Sequence, residues 1–385
     1  MKNLFLSVSF LLFIGTAMAQ DYKKLHKQIL VVDGHNDVII ESILPGKNIS
    51  KRLKTGHTDI PRLLEGGVDV QVFAVWSDDK KWKTNAFLHA NTQIDALEKQ
   101  FIGQEDKIEL ARNSADIERI TSTGRIAALI GIEGGNMIEG KIENLEKLYE
   151  RGARYLTLTW NYNLPWATAA AEEVKTKNNQ GKGLTAHGKA IIKRMNELGM
   201  MIDLSHAGEQ TFYDVLQVSS KPVIVSHSNA AALTPHYRNL KDEQLIALKE
   251  NGGVVGVNFY SEFLDSNYSA RVKNLYRKNH PVDSVNRKYS IGKMYSLLSK
   301  KQKHLANTAL ENLLKHIDHL IKFAGVDHVA IGSDFDGIES PPQELEDVSK
   351  FPVLTKALLD RGYSPEDIAK IMGLNFLRVL KENEQ

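Results

Sequence analysis

Residues 29–37, Ile-Leu-Val-Val-Asp-Gly-His-Asn-Asp, join a short apolar run to three polar side chains at alternate positions. In an extended chain, Asp33, His35 and Asp37 would project from one face, because successive side chains of a strand point to opposite faces. Imidazole and carboxylate groups placed together can hold a divalent metal such as zinc. A polar turn could carry the same residues, so the interpretation depends on whether similar endings recur along the chain.

Seven further short apolar segments predict strands, and several of them also end in a polar or charged residue. They cover residues 68–76, 125–134, 155–160, 200–204, 222–225, 253–259 and 328–332. Helical patterns separate them, including a polar stretch at 85–120, a short helix at 145–151 and a helix that Gly199 would end. Strands that alternate with helices predict a parallel sheet built of βαβ units. Eight units favour a closed (β/α)8 TIM-like barrel over an open doubly wound sheet.

Residues 20–385 are expected to form a single catalytic barrel domain. One irregular region interrupts it between the seventh and eighth strands, a basic and tyrosine-rich insertion at about 261–303. This insertion could lie over the active face as a lid or a subunit contact, or it could be a solvated excursion.

The composition limits the classes of partner and chemistry. With 42% hydrophobic and 25% charged residues, the 385-residue chain is typical of a soluble globular protein. Its formal charge of +2 gives no reason to expect a nucleic acid or an anionic membrane as a partner. Cysteine is absent, which excludes disulfides, thiolate metal ligands and a cysteine nucleophile. Any metal must therefore bind to His, Asp and Glu.

Residues 1–19 have the features of a removable export signal. Lys2 supplies a positive charge, residues 4–15 are apolar, and Ala17-Met18-Ala19 places small residues before the expected cut. The alternative is an uncleaved N-terminal anchor. We therefore expect an exported chain, periplasmic or extracellular. Its mature part should have no membrane span, because no later segment is long and apolar enough to cross a bilayer.

The carboxyl ends of the predicted strands supply the candidate functional residues, since barrel enzymes gather their catalytic groups at that end. The candidates are His35, Asp37, Glu133, His206, His227 and Asp334. Each alone could be a capping or hydrogen-bonded polar group. Six metal-competent residues at strand ends favour a functional cluster instead.

This cluster is larger than the three protein ligands of a usual catalytic zinc. Two metal ions that share Glu133 fit it better, one bound by the two ligands of the first strand and the other by His206 and His227. A water held between two divalent ions becomes a hydroxide nucleophile near neutral pH. The remaining carboxylate, Asp334, would then move a proton or hold a substrate amine.

Ten short motifs occur in order along the chain. They lie at residues 33–37 (Asp-Gly-His-Asn-Asp), 59–63 (Asp-Ile-Pro-Arg-Leu), 131–134 (Gly-Ile-Glu-Gly), 156–159 (Leu-Thr-Leu-Thr), 203–206 (Asp-Leu-Ser-His), 226–228 (Ser-His-Ser), 238–239 (Arg-Asn), 257–260 (Val-Asn-Phe-Tyr), 332–337 (Gly-Ser-Asp-Phe-Asp-Gly) and 375–379 (Asn-Phe-Leu-Arg-Val). As an ordered set they resemble the membrane (renal-type) dipeptidase family, zinc peptidases of the metal-dependent, amidohydrolase-like barrels. The resemblance covers nearly the whole chain after the leader.

The resemblance implies a binuclear zinc dipeptidase with two Zn²⁺ per chain and a metal-bridging hydroxide. The implied zinc ligands, with Glu133 shared by both ions, are His35, Asp37, Glu133, His206 and His227. Asp334 would meet the bridging water and the free amino group of a dipeptide. Arg238 would bind the substrate carboxylate, because a guanidinium group pairs well with a carboxylate. The C-terminal residue of the dipeptide could be a D-amino acid, and any homodimer would be non-covalent.

One position departs from the family pattern. Trp160 follows Leu-Thr-Leu-Thr, where family members carry a histidine thought to steady the developing oxyanion. An indole offers one donor and no charge, so Asn161 and Asn163 are alternative candidates for that substrate contact. The departure leaves the preferred dipeptides and the rate open.

Two other functions stay open on the sequence alone. A related binuclear amidohydrolase could act on another amide, a lactone, an N-acyl amino acid or a phosphoester. A non-catalytic barrel could bind metal or peptide without turnover. The sequence does not specify the native metal, the oligomeric state or the role of the insertion. His316 and His319, which flank Asp318 at helical spacing, are expected to make packing or solvent contacts, because they precede the eighth strand.

Overall fold

Eight parallel strands form a nearly closed barrel in the computed structural model, which describes residues 22–176, 182–279 and 289–385. The nine strands of the sheet are β1 Val32–Asp33, β2 Val70–Trp76, β3 Ile108–Leu110, β4 Ile126–Glu133, β5 Ala153–Thr157, β6 Met201–Asp203, β7 Ile224–Ser228, β8 Val254–Val257 and β9 Val329–Ile331. They pair in the order β1-β2-β4-β5-β6-β7-β8-β9, and β3 pairs with β4 outside this path. The predicted (β/α)8 TIM-like barrel is therefore confirmed.

Helices follow most strands on the outside of the barrel. Residues 22–28 are helical, and the further α-helices of the described residues are α1 Ile60–Glu65, α2 Ala86–Phe101, α3 Ser114–Thr121, α4 Ile142–Glu150, α5 Ala170–Glu173, α6 Ala186–Leu198, α7 Glu209–Val218, α8 Asp242–Glu250, α9 Ser261–Leu264, α10 Tyr268–Asn279, α11 Ile291–Ser296, α12 Lys300–Ala306, α13 Leu310–Ala324, α14 Phe351–Asp360, α15 Pro365–Ala369 and α16 Asn375–Asn383. Single helical turns occupy Ile39–Ile43, Gly135–Ile138, Val326–His328, Val348–Lys350 and Lys370–Leu374.

Hydrogen bonds beyond the ends of β1 and β9 bring the first and last strands together. The Gly34 N–H donates to the Ile331 carbonyl at 2.9 Å, and the Asp334 N–H donates to the His35 carbonyl at 3.1 Å. The barrel therefore closes at its carboxyl end. This closure places the polar tail of residues 33–37 beside residues 332–337, which lie 300 positions later in the chain.

The predicted helix before the fifth barrel strand shows how local sequence determines an element. Thr185 precedes α6, and its hydroxyl accepts a hydrogen bond from the Gly188 N–H at 3.3 Å. Ile191, Ile192 and Met195 are buried on one face, and burying each such side chain contributes about 1.5–3 kcal/mol. The helix ends at Gly199, whose φ of 77° suits glycine.

The polar stretch at 85–120 is not one helical region as predicted. It contains α2 and α3, with β3 between them. Gly103 follows α2 with a φ of 74°, and the chain then returns to the sheet, where Ile108 pairs with Ile126 of β4. Burial of Ile108 explains why a short strand forms in an otherwise polar segment.

The barrel has an inner and an outer apolar layer. Inward-facing residues such as Val70 and Leu129 form one cluster, and residues adjacent to them in the strands pack outward against the helices. Phe376, Val379 and Leu380 of α16 belong to the inner cluster. The last helix therefore closes the amino end of the barrel, and the carboxyl end is left for the polar site.

The described parts of the insertion contain four helices, α9 to α12. The insertion has an apolar cluster of its own, formed by Tyr268, Val272, Tyr276, Tyr295, Leu298 and Ala306. Residues 1–21, including the predicted signal at 1–19, lie outside the described residues, as do 177–181 and 280–288. Among the residues that are described, no helix is both long and apolar enough to span a bilayer.

Candidate metal centre

Five of the predicted site residues converge at the carboxyl end of the barrel, and Glu133, the last residue of β4, lies at their centre. One Glu133 oxygen, Oε2, is 3.4 Å from His35 Nε2, and the same His35 nitrogen is 3.4 Å from Asp37 Oδ2. The other oxygen, Oε1, is 3.0 Å from His206 Nε2 and 3.7 Å from His227 Nε2. The two oxygens of one carboxylate therefore face two separate sets of possible ligands.

The unpaired nitrogens of this cluster fit divalent metal ions. His35 Nε2 is buried and has no hydrogen-bond partner among the described residues. The Nε2 atoms of His206 and His227 lie 3.1 Å apart, although two neutral imidazole nitrogens have no reason to attract each other unless a proton or a cation lies between them. His35, Glu133 and His227 can offer ligand atoms within 4.8 Å of one another. The donor set is thus the nitrogen and oxygen set that zinc accepts.

Each metal-facing histidine is oriented by a hydrogen bond to its other ring nitrogen. The Tyr155 hydroxyl lies 2.7 Å from His35 Nδ1, and Ser226 Oγ lies 2.8 Å from His227 Nδ1. Asn161 Oδ1 is 3.1 Å from His206 Nδ1. Such contacts determine which nitrogen carries the proton and leave Nε2 free to face the centre. The sequence pattern did not identify Tyr155, which lies among the β-favouring residues of β5.

Behind Ser226 lies a buried carboxylate. Asp203, at the end of β6, accepts hydrogen bonds from the Ser226 hydroxyl at 2.6 Å and from the Ser226 N–H at 2.8 Å. It also accepts from the Ser205 N–H at 3.0 Å and from the Thr157 hydroxyl. His227 is therefore connected through one hydroxyl to a fully hydrogen-bonded acidic group.

Asp334 lies beside Asp37 on the side of the cluster nearest β1 and β9. Ligand atoms of His35, Asp37 and Asp334 come within 4.8 Å of one another, and the Asn258 side chain donates to Asp334 Oδ2 at 2.8 Å. Burial and the neighbouring Asp37 carboxylate raise the pKa of Asp334 well above its usual value. Gly337 packs directly against both carboxylates, where a β-carbon would overlap their oxygens.

The electrostatics of the centre leave two of its histidines neutral. Burial, with help from Arg238, lowers the pKa of His206 to about 4, and burial next to His35 lowers the pKa of His227 well below its usual value. Burial alone would raise the pKa of Glu133, but His35 and His206 hold it below its ordinary range. A neutral imidazole and an ionised carboxylate are the forms that bind metal.

A cavity of about 370 Å³ opens over the centre. Arg238, Trp160 and Asn161 line it together with Glu133 and Asp334. Arg238 is buried, its Nη2 donates to the His227 carbonyl at 3.2 Å, and its Nε has no partner among the described residues. The cavity therefore has a cationic group and acidic groups on its wall, which suits a small molecule carrying both charges.

The remaining candidates of the sequence have ordinary partners. Asn163 does not line the cavity, and its Oδ1 accepts from the Ala169 N–H at 2.8 Å. His316 is buried in α13 and accepts from the Ala230 N–H at 3.1 Å. His319 lies 2.7 Å from Asp242 Oδ1. None of these three side chains points to the metal centre.

Two residues of the centre have strained backbone conformations. His206 has a φ of 64° and Asp334 a φ of 62°, in the left-handed region that non-glycine residues seldom occupy. Strain of this kind costs about 1–3 kcal/mol per residue and is concentrated at functional sites. This backbone strain occurs at His206 and Asp334, two of the six residues predicted to form the cluster.

A family model described as membrane dipeptidase (peptidase family M19) matches residues 19–385. The chain belongs to this family. It is therefore a metal-dependent hydrolase that acts on the peptide bond of dipeptides. The resemblance drawn from the ten motifs is confirmed.

Relatives of the membrane dipeptidase family support this assignment along most of the chain. An uncharacterised dipeptidase of Schizosaccharomyces pombe is 34% identical over 383 residues, which span 95% of this chain and 83% of the relative. Among solved structures, the family M19 metallopeptidase dipeptidase AC is 28% identical, with a TM-score of 0.76, and covers 92% of this chain and 98% of its own. A metallopeptidase from Rhodobacter sphaeroides, solved with a phosphinate mimic of the dipeptide L-Ala-D-Ala, is 27% identical with a TM-score of 0.74. The match covers 92% of this chain and 99% of that structure's chain.

Trp160, which follows Leu-Thr-Leu-Thr, lines the cavity over the metal centre. Its ring lies edge-on to Trp76 with centroids 4.9 Å apart and is 6.4 Å from the His206 ring. Asn161 is the neighbouring candidate for a substrate contact, but its amide oxygen makes a hydrogen bond with His206 Nδ1. The position thus presents an aromatic surface to the cavity rather than a charged donor.

Proposed function

We propose that this membrane dipeptidase holds two Zn²⁺ per chain and hydrolyses dipeptides, including those with a D-residue at the C-terminal side. The observation that carries the proposal is the placement of Glu133. One of its oxygens faces His35 and the other faces His206 and His227, as a carboxylate shared by two ions requires. The proposed zinc ligands are His35, Asp37, Glu133, His206 and His227.

Bound metal ions would supply an activated water as the nucleophile and polarise the peptide carbonyl. The chain's own groups would position the substrate. Arg238 would pair with the dipeptide carboxylate, and the acidic side of the cavity at Asp334 would hold its ammonium group. Recognition of both termini limits the substrate to two residues.

Asp334 is also the proposed proton carrier. Its raised pKa favours proton uptake from the attacking water, and the same carboxyl can then give that proton to the leaving amine. Asn258 donates to one oxygen of this carboxyl group and so fixes its orientation. A D-residue is proposed because a Rhodobacter sphaeroides relative was solved with a mimic of L-Ala-D-Ala.

The decisive experiment combines metal analysis with a dipeptide panel. We expect two zinc ions per purified chain and release of both amino acids from L-Ala-L-Ala and L-Ala-D-Ala. The Asp334→Asn variant should keep both ions but lose at least about a hundredfold in kcat, because general acid–base groups contribute about 10²–10⁴. A variant with full activity, or a purified protein with a single ion at full activity, would contradict the proposal.

A second candidate, a related binuclear amidohydrolase with another substrate, is favoured by one observation, the tryptophan at position 160. Comparing a dipeptide with its N-acetylated form separates the two. A dipeptidase needs the free ammonium group, so acetylation should abolish turnover. Faster hydrolysis of the N-acetyl compound would favour the second candidate.

We also propose that residues 1–19 direct export to the periplasm or outside the cell, and that the mature chain forms a non-covalent homodimer. The leader composition supports the first statement. Because the chain has no cysteine, no disulfide can link the two subunits of such a dimer. The intact mass of the exported protein should correspond to a chain that starts near Gln20, and a mass that includes the leader would refute the proposed export signal. Light scattering should give twice the mass of one chain, and the mass of a monomer would refute the proposed homodimer.

A further inference from the structure

Asp33, the last residue of β1, is a fully buried carboxylate to which the proposed function gives no role. Its Oδ1 accepts a hydrogen bond from the Ser333 N–H at 2.8 Å, and its Oδ2 accepts one from the Ser333 hydroxyl at 2.7 Å. The Gln71 side-chain amide also donates to Oδ2 at 3.1 Å. Asp33 is therefore bound chiefly to one serine, which lies 300 positions later in the chain.

That serine directly precedes Asp334, the proposed proton carrier. While the Ser333 hydroxyl donates to Asp33, it also accepts a hydrogen bond from the Phe335 N–H at 3.1 Å. Asp33 thus holds Ser333 directly and Phe335 through the serine hydroxyl. These two residues flank Asp334, so the buried carboxylate restrains the backbone on both sides of it.

The backbone between these two restraints is strained. Asp334 has a φ of 62°, and a non-glycine residue keeps such a conformation only where the surrounding structure fixes it. The N–H of Asp334 itself donates to the His35 carbonyl at 3.1 Å. If the bonds to Asp33 were lost, residues 333–335 could relax toward an ordinary φ, and the Asp334 carboxyl group would move with them.

The same arrangement occurs a second time in the barrel. Asp203, at the end of β6, accepts hydrogen bonds from both the N–H and the hydroxyl of Ser226, and Ser226 directly precedes His227. In each case a buried carboxylate at a strand end holds the serine that comes immediately before a residue of the cluster. The repetition at Ser333 and Asp334 indicates a means of positioning cluster residues.

We propose that Asp33 is a positioning residue for Asp334. Through Ser333 it maintains the left-handed backbone of Asp334 and so places the carboxyl group where it can take up and return a proton. The inference rests on the proposed function, in which Asp334 carries that proton. The competing explanation is that Asp33 only joins β1 to the segment after β9 and so helps to close the barrel.

Ser333→Ala and Asp33→Asn test the proposal in the zinc-loaded enzyme with L-Ala-L-Ala as substrate. Each variant should lose at least about tenfold in kcat, because a displacement of about 1 Å can cost about a hundredfold. Zinc affinity, measured by competition with a chelator, should stay near that of wild type, because Asp334 is not a proposed ligand. A fall of about 10–100-fold in zinc affinity would assign Asp33 to the support of metal ligands instead and overturn the proposal.

The matched control is Ser261→Ala. Ser261 is also fully buried, and its hydroxyl likewise donates one hydrogen bond, to the Ser340 carbonyl at 2.6 Å, and accepts one, from the Thr308 N–H at 3.0 Å. The control therefore removes the same number of buried hydrogen bonds and should lower the thermal midpoint, but it should keep the kcat of wild type. An equal loss of kcat in Ser261→Ala and Ser333→Ala would show a general effect of buried hydroxyls and would overturn the proposal.

A double-mutant cycle with Asp334→Asn separates positioning from a purely structural role. In the Asp334→Asn background, Ser333→Ala should cause little further loss of kcat, because the group that it positions is no longer an acid or a base. A further loss of about tenfold would mean that the two changes act independently, and the proposal would be wrong.

The single variants separate this inference from the proposed function. If Asp334→Asn keeps full activity, Asp334 is not the proton carrier, and the inference about Asp33 is overturned with that role. If Asp334→Asn loses activity while Ser333→Ala keeps the kcat of wild type, the proposed function stands and only the positioning role of Asp33 is wrong.

Discussion

At the level of a single residue, Trp160 gives the cavity over the metal centre an aromatic surface. Its indole lies against Trp76 and lies 5.8 Å from the Tyr162 ring, so it is part of an aromatic wall rather than a lone substitution. Aromatic contacts of this kind contribute about 0.5–1.5 kcal/mol beyond burial. A substrate side chain that packs on this wall would gain a similar amount.

We expect Trp160→His to change the substrate preference of the enzyme. Two ratios of kcat/KM report on this preference, Ala-Phe over Ala-Ala and Phe-Ala over Ala-Ala. At least one of them should fall about fivefold in the variant, because the aromatic wall is lost. The kcat for Ala-Ala should rise, since a histidine can donate to the developing oxyanion. Trp160→Phe is the control that keeps an aromatic surface. Unchanged ratios in Trp160→His would show that no substrate side chain touches the wall.

The hydroxyl of Ser226 provides a second test at this scale, because it connects His227 to the buried Asp203. Ser226→Ala should weaken zinc binding about 10–100-fold, the usual effect of removing a group that orients a metal ligand. Competition with a chromogenic chelator measures this without any turnover. Ser226→Thr keeps a hydroxyl and should restore most of the affinity. Equal affinity in the alanine variant would mean that Asp203 supports only the local fold.

At the scale of the strand, the sequence predicted the site better than it predicted the element bounds. Residues such as Asp37 and Glu133 follow apolar runs, and parallel strands in a barrel end at one rim, so their meeting could be inferred. The strands themselves are shorter than the apolar runs, as in β1, where only Val32–Asp33 pair. Tyr155 was missed because an aromatic residue in a strand indicates core packing as readily as a contact to His35.

The start of β2 offers a stability test with a defined pH dependence. Asp69 accepts from the Val31 N–H at 2.8 Å, which connects the first two strands, and burial raises its pKa to about 6. The unfolded value is about 3.9. The folded state therefore holds the proton more tightly, and this group's contribution to stability is present below about pH 4 and is lost as the pH rises through 6.

We expect Asp69→Asn to remove this loss of stability at rising pH. The asparagine keeps a side-chain carbonyl oxygen that can accept the hydrogen bond from the Val31 N–H. The free energy of unfolding of the variant relative to wild type should rise between about pH 4 and pH 7, by about 2 kcal/mol in total. Urea titrations at several pH values measure it. Asp106→Asn, at an exposed carboxylate, is the control and should show little change. A constant difference across this range would contradict the role of Asp69.

For the whole molecule, the metal centre joins parts of the barrel that are far apart in sequence. Ligand candidates from β1, β4, β6 and β7 surround Glu133, and the tail after β9 adds Asp334. Without cations, burial and the Glu133 carboxylate raise the pKa of Asp37, and burial and the Asp37 carboxylate raise the pKa of Asp334. The sequence could place these groups on one rim but could not give the distances, because those depend on how the barrel closes.

Removing the metal should therefore destabilise the entire barrel and not only inactivate the enzyme. A ligand present at about a hundred times its dissociation constant stabilises the folded state by about 2.7 kcal/mol, so dialysis against a chelator should lower the thermal midpoint, and added zinc should restore it. Glu133→Gln is the matched control, since it keeps the side-chain size but should not hold two ions. Its thermal midpoint should respond weakly to chelator. If wild type loses its metal with no change in midpoint, the converging strands are held by packing alone and the centre makes no contribution to the fold.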